Sequence, residues 1–150
     1  MLRNARVWAY ATGGWLLVAG GLQWAAHVWG VAGEHAMIGQ REFAMDAMKQ
    51  AFSLAPLQPS LWRSYRMLSA SLGLFFVYGG MVPILLAWAR VSAPALAGMA
   101  LFGTVFWTLA FALYAFADPV LLPLVTAAVA VPLHALVWLT ATYESPGART

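Results

Sequence analysis

Four long apolar stretches occupy most of this 150-residue chain and constrain its fold more than any other feature. They run Val7–Val31, Trp62–Ala89, Ala95–Phe116 and Val120–Thr140. A helix needs roughly 20 apolar residues to cross a hydrocarbon core about 30 Å thick, and each stretch is long enough. Within them the only charged side chains are Arg63 and Arg66, at the head of the second. A soluble helical core would instead show apolar stripes backed by charged faces. Composition agrees, since 63% of the residues are hydrophobic and 9% charged, against about 25% charged in soluble domains. The expectation is an all-α membrane protein, with residues 1–150 forming a single transmembrane domain.

Several function classes are disfavoured at once. Cysteine is absent, which removes disulfides, thiolate metal sites and cysteine nucleophiles. Eight Lys and Arg, scattered along the chain, are too few for a nucleic-acid surface and read as juxtamembrane anchors. The N-terminus imitates a signal peptide, with Arg3 and Arg6 before the apolar run and Val31-Ala32-Gly33 resembling a cleavage site. The run is too long for an h-region of about 7–15 residues, so the segment is expected to remain as a membrane helix.

The connections set the expected topology. The first is long, and within it Phe43, Ala47, Met48, Ala51 and Phe52 recur at helical spacing opposite Arg41, Glu42, Asp46, Lys49 and Gln50. This predicts a short amphipathic helix at about residues 41–54, lying in the interface and ended by Pro56 and Pro59. The other two connections, Arg90–Pro94 and Asp118-Pro119, are tight. Short loops force antiparallel neighbours, hence an up-down-up-down four-helix bundle. Pro83, Pro123 and Pro132 fall inside spans and are expected to bend them. Arg3, Arg6, Arg90 and Arg149 on one side balance Arg41, Lys49, Arg63 and Arg66 on the other. Taking the first helix as decisive puts both termini in the cytoplasm.

His27 and His134 are the ionisable side chains well inside spans, and such groups default to functional hypotheses. As a haem pair they fail on depth. His27 lies near the far end of span one and His134 deep in span four, a separation of roughly 15 Å at 1.5 Å per residue. Helix four places Thr126, Ala130, His134 and Trp138 on one stripe at successive i+4 steps. His134 is expected to act there as structural glue, bonding a hydroxyl on another helix, with a proton-relay or ligand-contact role as the alternative. Small residues mark further contact stripes: Ala5, Ala9, Gly13, Gly21 and Ala25; Ser69 and Gly73; Ala100, Thr104, Thr108 and Ala112. Trp8, Trp62, Trp88 and Trp138 near span ends fit an aromatic belt, while Trp15, Trp24 and Trp107 lie deeper. A cavity around His134, Thr108 and Trp107 would suit a lipophilic ring: a quinone, carotenoid, sterol or other pigment. Arg63-Ser64-Tyr65-Arg66, with Trp62 beside it and His27 near the end of helix one, would suit lipid phosphates or a partner's carboxylates. No nucleotide loop, zinc motif, nucleophile elbow or paired intramembrane carboxylate occurs in the sequence, so no catalytic residue, metal or resident cofactor is expected.

Gly20-Gly21-Leu22-Gln23-Trp24-Ala25-Ala26-His27, the methionines Met45 and Met48, Arg63-Ser64-Tyr65 and Ser71-Leu72-Gly73-Leu74 carry a resemblance. Over about its first half the chain resembles a family of small bacterial four-helix integral membrane proteins with no agreed activity. Gln23 stands where that family leads one to expect a histidine, and Met67 where it leads one to expect an acid. The resemblance implies fold and bacterial origin, not function. The residues themselves lead to two expectations. The first is a non-catalytic accessory subunit packing with other integral membrane subunits in a larger complex, of electron transport or photosynthesis. The second is a stand-alone binding module for a lipophilic small molecule.

Overall fold

An apolar segment in lipid must satisfy its backbone N–H and C=O groups within itself, and a helix does so. The computed structural model describes residues 4–32, 46–47, 49, 61–116 and 121–144, and each of the four apolar stretches is helical. α1 spans Ala5–Ala32, α2 Leu61–Trp88, α3 Ala93–Phe116 and α4 Leu121–Glu144. Asp46, Ala47 and Lys49 are helical and exposed. The remainder of the interfacial helix expected at 41–54 lies outside the described residues.

α2 from Arg63, α3 and α4 are long and apolar enough to cross a membrane. The stretch expected at 7–31 is helical throughout, within α1. At 28 residues α1 has the length, but it is not among the helices apolar enough. Thr12, Gln23, His27, two glycine pairs and four tryptophans dilute its aliphatic content. Pro83 lies inside α2 and Pro132 inside α4, each removing one backbone donor. Pro123 does not interrupt a span. It sits in the first turn of α4, where no N–H partner is lost.

The chain divides into two compact units, a larger one of Met1–Ala19 with Phe76–Thr150 and a smaller one of Gly20–Phe75. In the larger unit each helix buries one face. α2 buries Phe76, Gly80, Pro83 and Ala87, and α3 buries Leu96, Ala100, Gly103 and Trp107. α4 buries Thr126, Ala130, His134, Val137 and Ala141. Steps of three and four keep each set on one side of its helix. The expected α3 stripe of Ala100, Thr104, Thr108 and Ala112 is therefore displaced. Only Ala100 of that set is buried, and Thr108 is exposed. On α1, Ala5, Ala9 and Gly13 are buried as expected, but Gly21 and Ala25 are exposed.

The α2–α3 turn is closed by backbone geometry. The Arg90 N–H donates to Ala87 O at 3.2 Å and the Val91 N–H to Leu86 O at 3.3 Å. Arg90 has φ of 52°. This is a Schellman ending with arginine at the left-handed position that glycine fills at no steric cost. Val91 and Leu86 both pack on the adjacent core. Arg90→Gly is expected to raise stability by about 1 kcal/mol, read by SDS-driven unfolding in mild detergent, because a left-handed L-residue costs about that much. An unchanged midpoint would show that the turn is not strained.

α1 begins with two caps. Asn4 Oδ1 accepts the Arg6 N–H at 3.1 Å. The Ala5 N–H donates to Glu144 Oε1 at 3.1 Å, so a carboxylate on the last residue of α4 closes the start of α1. A negative group is favourable at a helix N-terminus. Glu144→Ala is expected to cost about 1 kcal/mol in the same unfolding measurement, the usual scale for a lost cap. Glu144→Gln, which keeps an acceptor, should cost less, and equal losses would show that the bond contributes nothing.

Candidate functional site around His134

His134 is buried, at 3% exposure, near the middle of α4. Its Nδ1 lies 2.8 Å from Ala130 O, one turn earlier in the same helix. A carbonyl only accepts, so Nδ1 carries the proton and Nε2 the lone pair. The Cδ2–Nε2 edge rests against α3 at Gly103. A Cβ built on Gly103 would meet the ring at Cδ2, 2.6 Å from Nε2 and 2.9 Å from Cγ. The imidazole therefore fills the notch left by the missing side chain.

The expected partner for His134, a hydroxyl on another helix, is corrected by this geometry. Thr12, Thr104, Thr108, Thr126, Thr140, Thr142 and Ser71 each donate to the carbonyl four residues earlier on their own helix. In an apolar setting this satisfies the hydroxyl locally and leaves its proton unavailable to a neighbour. His134 follows the same rule through Nδ1.

Of the residues expected to line a cavity with His134, the structure brings Trp107 to the same buried face and leaves Thr108 off it. Trp107 is 3% exposed and follows Gly103 by one turn on α3. Its ring centroid is 5.7 Å from that of Phe76 and 5.4 Å from that of Phe106. Phe106 stacks on Phe102 at 6.4 Å, and Phe102 is 72% exposed. The four rings form a series from core to surface. Trp15, on α1, donates from Nε1 to Thr126 O at 3.2 Å, tying α1 to α4.

The smaller unit holds the other expected contacts. Gln23 Nε2 donates to Ser69 Oγ at 3.2 Å, joining α1 to α2. Trp24 lies in a second glycine notch: a Cβ on Gly73 would stand 2.6 Å from Trp24 Cδ1 and 2.9 Å from Nε1. Trp24 also meets the half-buried His27 edge-on, with centroids 5.8 Å apart. Arg63 and Arg66 are exposed on the first turns of α2, and the Trp62 side chain lies outside the described residues. His27 and His134 belong to different units.

Sequence reasoning missed Glu144 and Gly103. Glu144 is 139 residues from its partner, and no local pattern signals such a pairing. Gly103 is one of several glycines in the spans, and its role appears only with the ring opposite. Among the described residues, no group of three or more His, Cys, Asp or Glu is placed to hold a metal ion. No family model matches the sequence, and no curated protein or solved structure matches it. The likeness drawn from Gly20–His27 and Arg63–Tyr65 therefore carries no family assignment.

Proposed function

We propose that the chain is a non-catalytic integral subunit that packs beside a larger membrane complex. The observation that carries this reading is α1. It is long enough to cross a bilayer and carries Gln23 and His27 within its length. Gly21 is exposed, and a Cβ there would meet nothing within 4 Å. A helical glycine costs about 1 kcal/mol relative to alanine, and no described residue uses the space. A neighbouring subunit's helix laid along that side of α1 would use it. Three further membrane-length helices support an up-down-up-down bundle, and the pairings Ala5 with Glu144 and Trp15 with Thr126 support antiparallel neighbours. A bacterial inner membrane, with both termini cytoplasmic and an electron-transport or photosynthetic complex as host, completes the proposal.

Purification in mild detergent followed by mass analysis tests it. The expected result is a co-purifying integral membrane protein, retained by wild type and lost on Gly21→Leu with the helical content unchanged. A clean monomer from gentle extraction would overturn the reading. The ring series Phe76, Trp107, Phe106 and Phe102 favours a second reading, a module that stacks a quinone, carotenoid or sterol on the exposed Phe102. Solvent extraction and an absorption spectrum distinguish the two. A stoichiometric chromophore lost on Phe102→Ala would favour the second.

A further inference from the structure

We propose that Gln23, Trp24, His27 and Ser69 form a binding site for the ring of a lipophilic quinone. All four belong to the smaller unit, whereas the ring series ending at Phe102 belongs to the larger. The proposal rests on the chain lying in a membrane and is independent of the partner subunit. It starts from one hydroxyl. Every described threonine, and Ser71, donates to the carbonyl four residues earlier on its own helix. Ser69 is the exception. It accepts a Gln23 amide N–H at 3.2 Å, and its own proton has no acceptor among the described residues.

The polar groups beside it are also unspent. Gln23 uses one N–H on Ser69, and its second N–H and its Oε1 have no hydrogen-bond partner among the described residues. Neither ring nitrogen of His27 has one there either. His27 instead meets Trp24 edge-on, with centroids 5.8 Å apart. Gln23, His27 and Ser69 are half-buried, and a polar group left unsatisfied towards lipid is costly. Three donors remain to be satisfied: the Ser69 O–H, the second Gln23 N–H and, in either neutral tautomer, one His27 N–H. Acceptor oxygens satisfy them.

Depth and spacing select the molecule. Ser69 lies three residues past Arg66, about 5 Å further along α2. Arg63 and Arg66 are exposed and suit the headgroup layer, so the site lies just inside the hydrocarbon. A neutral oxygen is favoured there over an anion, because a charge taken out of water is heavily penalised. Gln23 and His27 are four residues apart on α1, a rise of about 6 Å. That rise is close to the separation of the two opposed carbonyl oxygens of a quinone. A hydrocarbon carotenoid offers no acceptor, and a sterol a single hydroxyl. Trp24, next to Gln23 in the chain and in ring contact with His27, is 37% exposed and supplies an aromatic wall for a flat ring.

Equilibrium dialysis of the detergent-purified full chain against a decyl-substituted benzoquinone, with decylbenzene as the apolar control, tests the proposal. The quinone should bind at about one per chain, and decylbenzene no better than to empty micelles. Ser69→Ala and His27→Phe should each weaken quinone binding about fivefold, the scale of one lost hydrogen bond. Phe retains a ring against Trp24 and removes only the N–H. Ser69→Thr, which keeps the hydroxyl, should bind as wild type does, separating chemistry from folding. In infrared difference spectra the bound carbonyl band should lie below that of quinone in micelles, and should rise again in Ser69→Ala. Equal binding of decylbenzene, unchanged affinity in both variants, or a loss on Phe102→Ala in their place overturns the site. Alkaline carbonate distinguishes this failure from that of the membrane reading. A chain washed out of vesicles overturns both, whereas a retained chain that binds no quinone overturns the site alone.

Discussion

Gly80→Ala is expected to destabilise the larger unit by about 3 kcal/mol, at the upper end of what overpacking costs. The reason is that the obstacle is backbone. A Cβ on Gly80 would stand 2.7 Å from Gly13 O, 3.0 Å from Leu17 N and 3.1 Å from Leu16 Cβ. The contact is reciprocal, since a Cβ on Gly13 would lie 2.5 Å from Gly80 O. No rotamer change relieves a clash with a carbonyl oxygen, so α1 and α2 must separate where they cross. Separation would remove contacts of Leu16, which is fully buried. Gly14→Ala provides the internal control. It lies one residue from Gly13 on the same helix, and a Cβ there meets nothing within 4 Å. That change should be neutral or stabilising by up to about 1 kcal/mol, the propensity gain of alanine over glycine. SDS-driven unfolding in mild detergent, followed by tryptophan fluorescence, reads both variants. Equal midpoints for Gly80→Ala and Gly14→Ala would show that the close crossing does not exist.

The positions of the helices were legible in the sequence because each is a long run without interior charge. Their inward faces were legible only in part. A lipid-facing leucine is as apolar as a core leucine, so polarity leaves little period to read. Residue size remains as the cue, and it served where small residues are unambiguous. Ala5, Ala9 and Gly13 are buried, and so is Gly73. On α3 two small-residue tracks run side by side. The track through Thr104 and Thr108 looked inward by size, but the buried one passes through Gly103 and Trp107. A tryptophan facing inward is unexpected until Gly80 and Gly103 show how closely backbones approach in this unit.

The candidate site was legible to a similar depth. Thr126, Ala130 and His134 were correctly grouped as one inward stripe of α4. The chemistry of His134 was not, because a histidine in an apolar helix has two ways to satisfy Nδ1. It can reach across to another helix or bond back along its own. The sequence contains hydroxyls that suit the first. The second prevails because the Ala130 carbonyl is always in reach, one turn away, while the threonine hydroxyls are already turned to carbonyls of their own. Long-range pairs such as Trp15 with Thr126 and Gln23 with Ser69 depend on helix rotation, which hydropathy does not specify.

The same rotation places His134 against Gly103, and that contact carries the other large expected effect. Gly103→Ala should cost about 3 kcal/mol, because the added methyl would occupy the space of the imidazole edge. His134→Ala should cost about 2–4 kcal/mol by leaving a cavity beside α3. The two costs should not add. In the double variant the methyl added at position 103 enters the space vacated by the ring, so the pair should be more stable than the sum of the singles by about 2 kcal/mol. A structural notch requires this coupling. If His134 instead served mainly as a ligand or proton-relay group, with its ring free to turn away from Gly103, the methyl would be tolerated and the single costs would add. Unfolding of the four chains, two singles, the double and the parent, therefore decides between packing and chemistry at the deepest ionisable group of α4. Additivity within about 0.5 kcal/mol would remove the notch from the account of this fold.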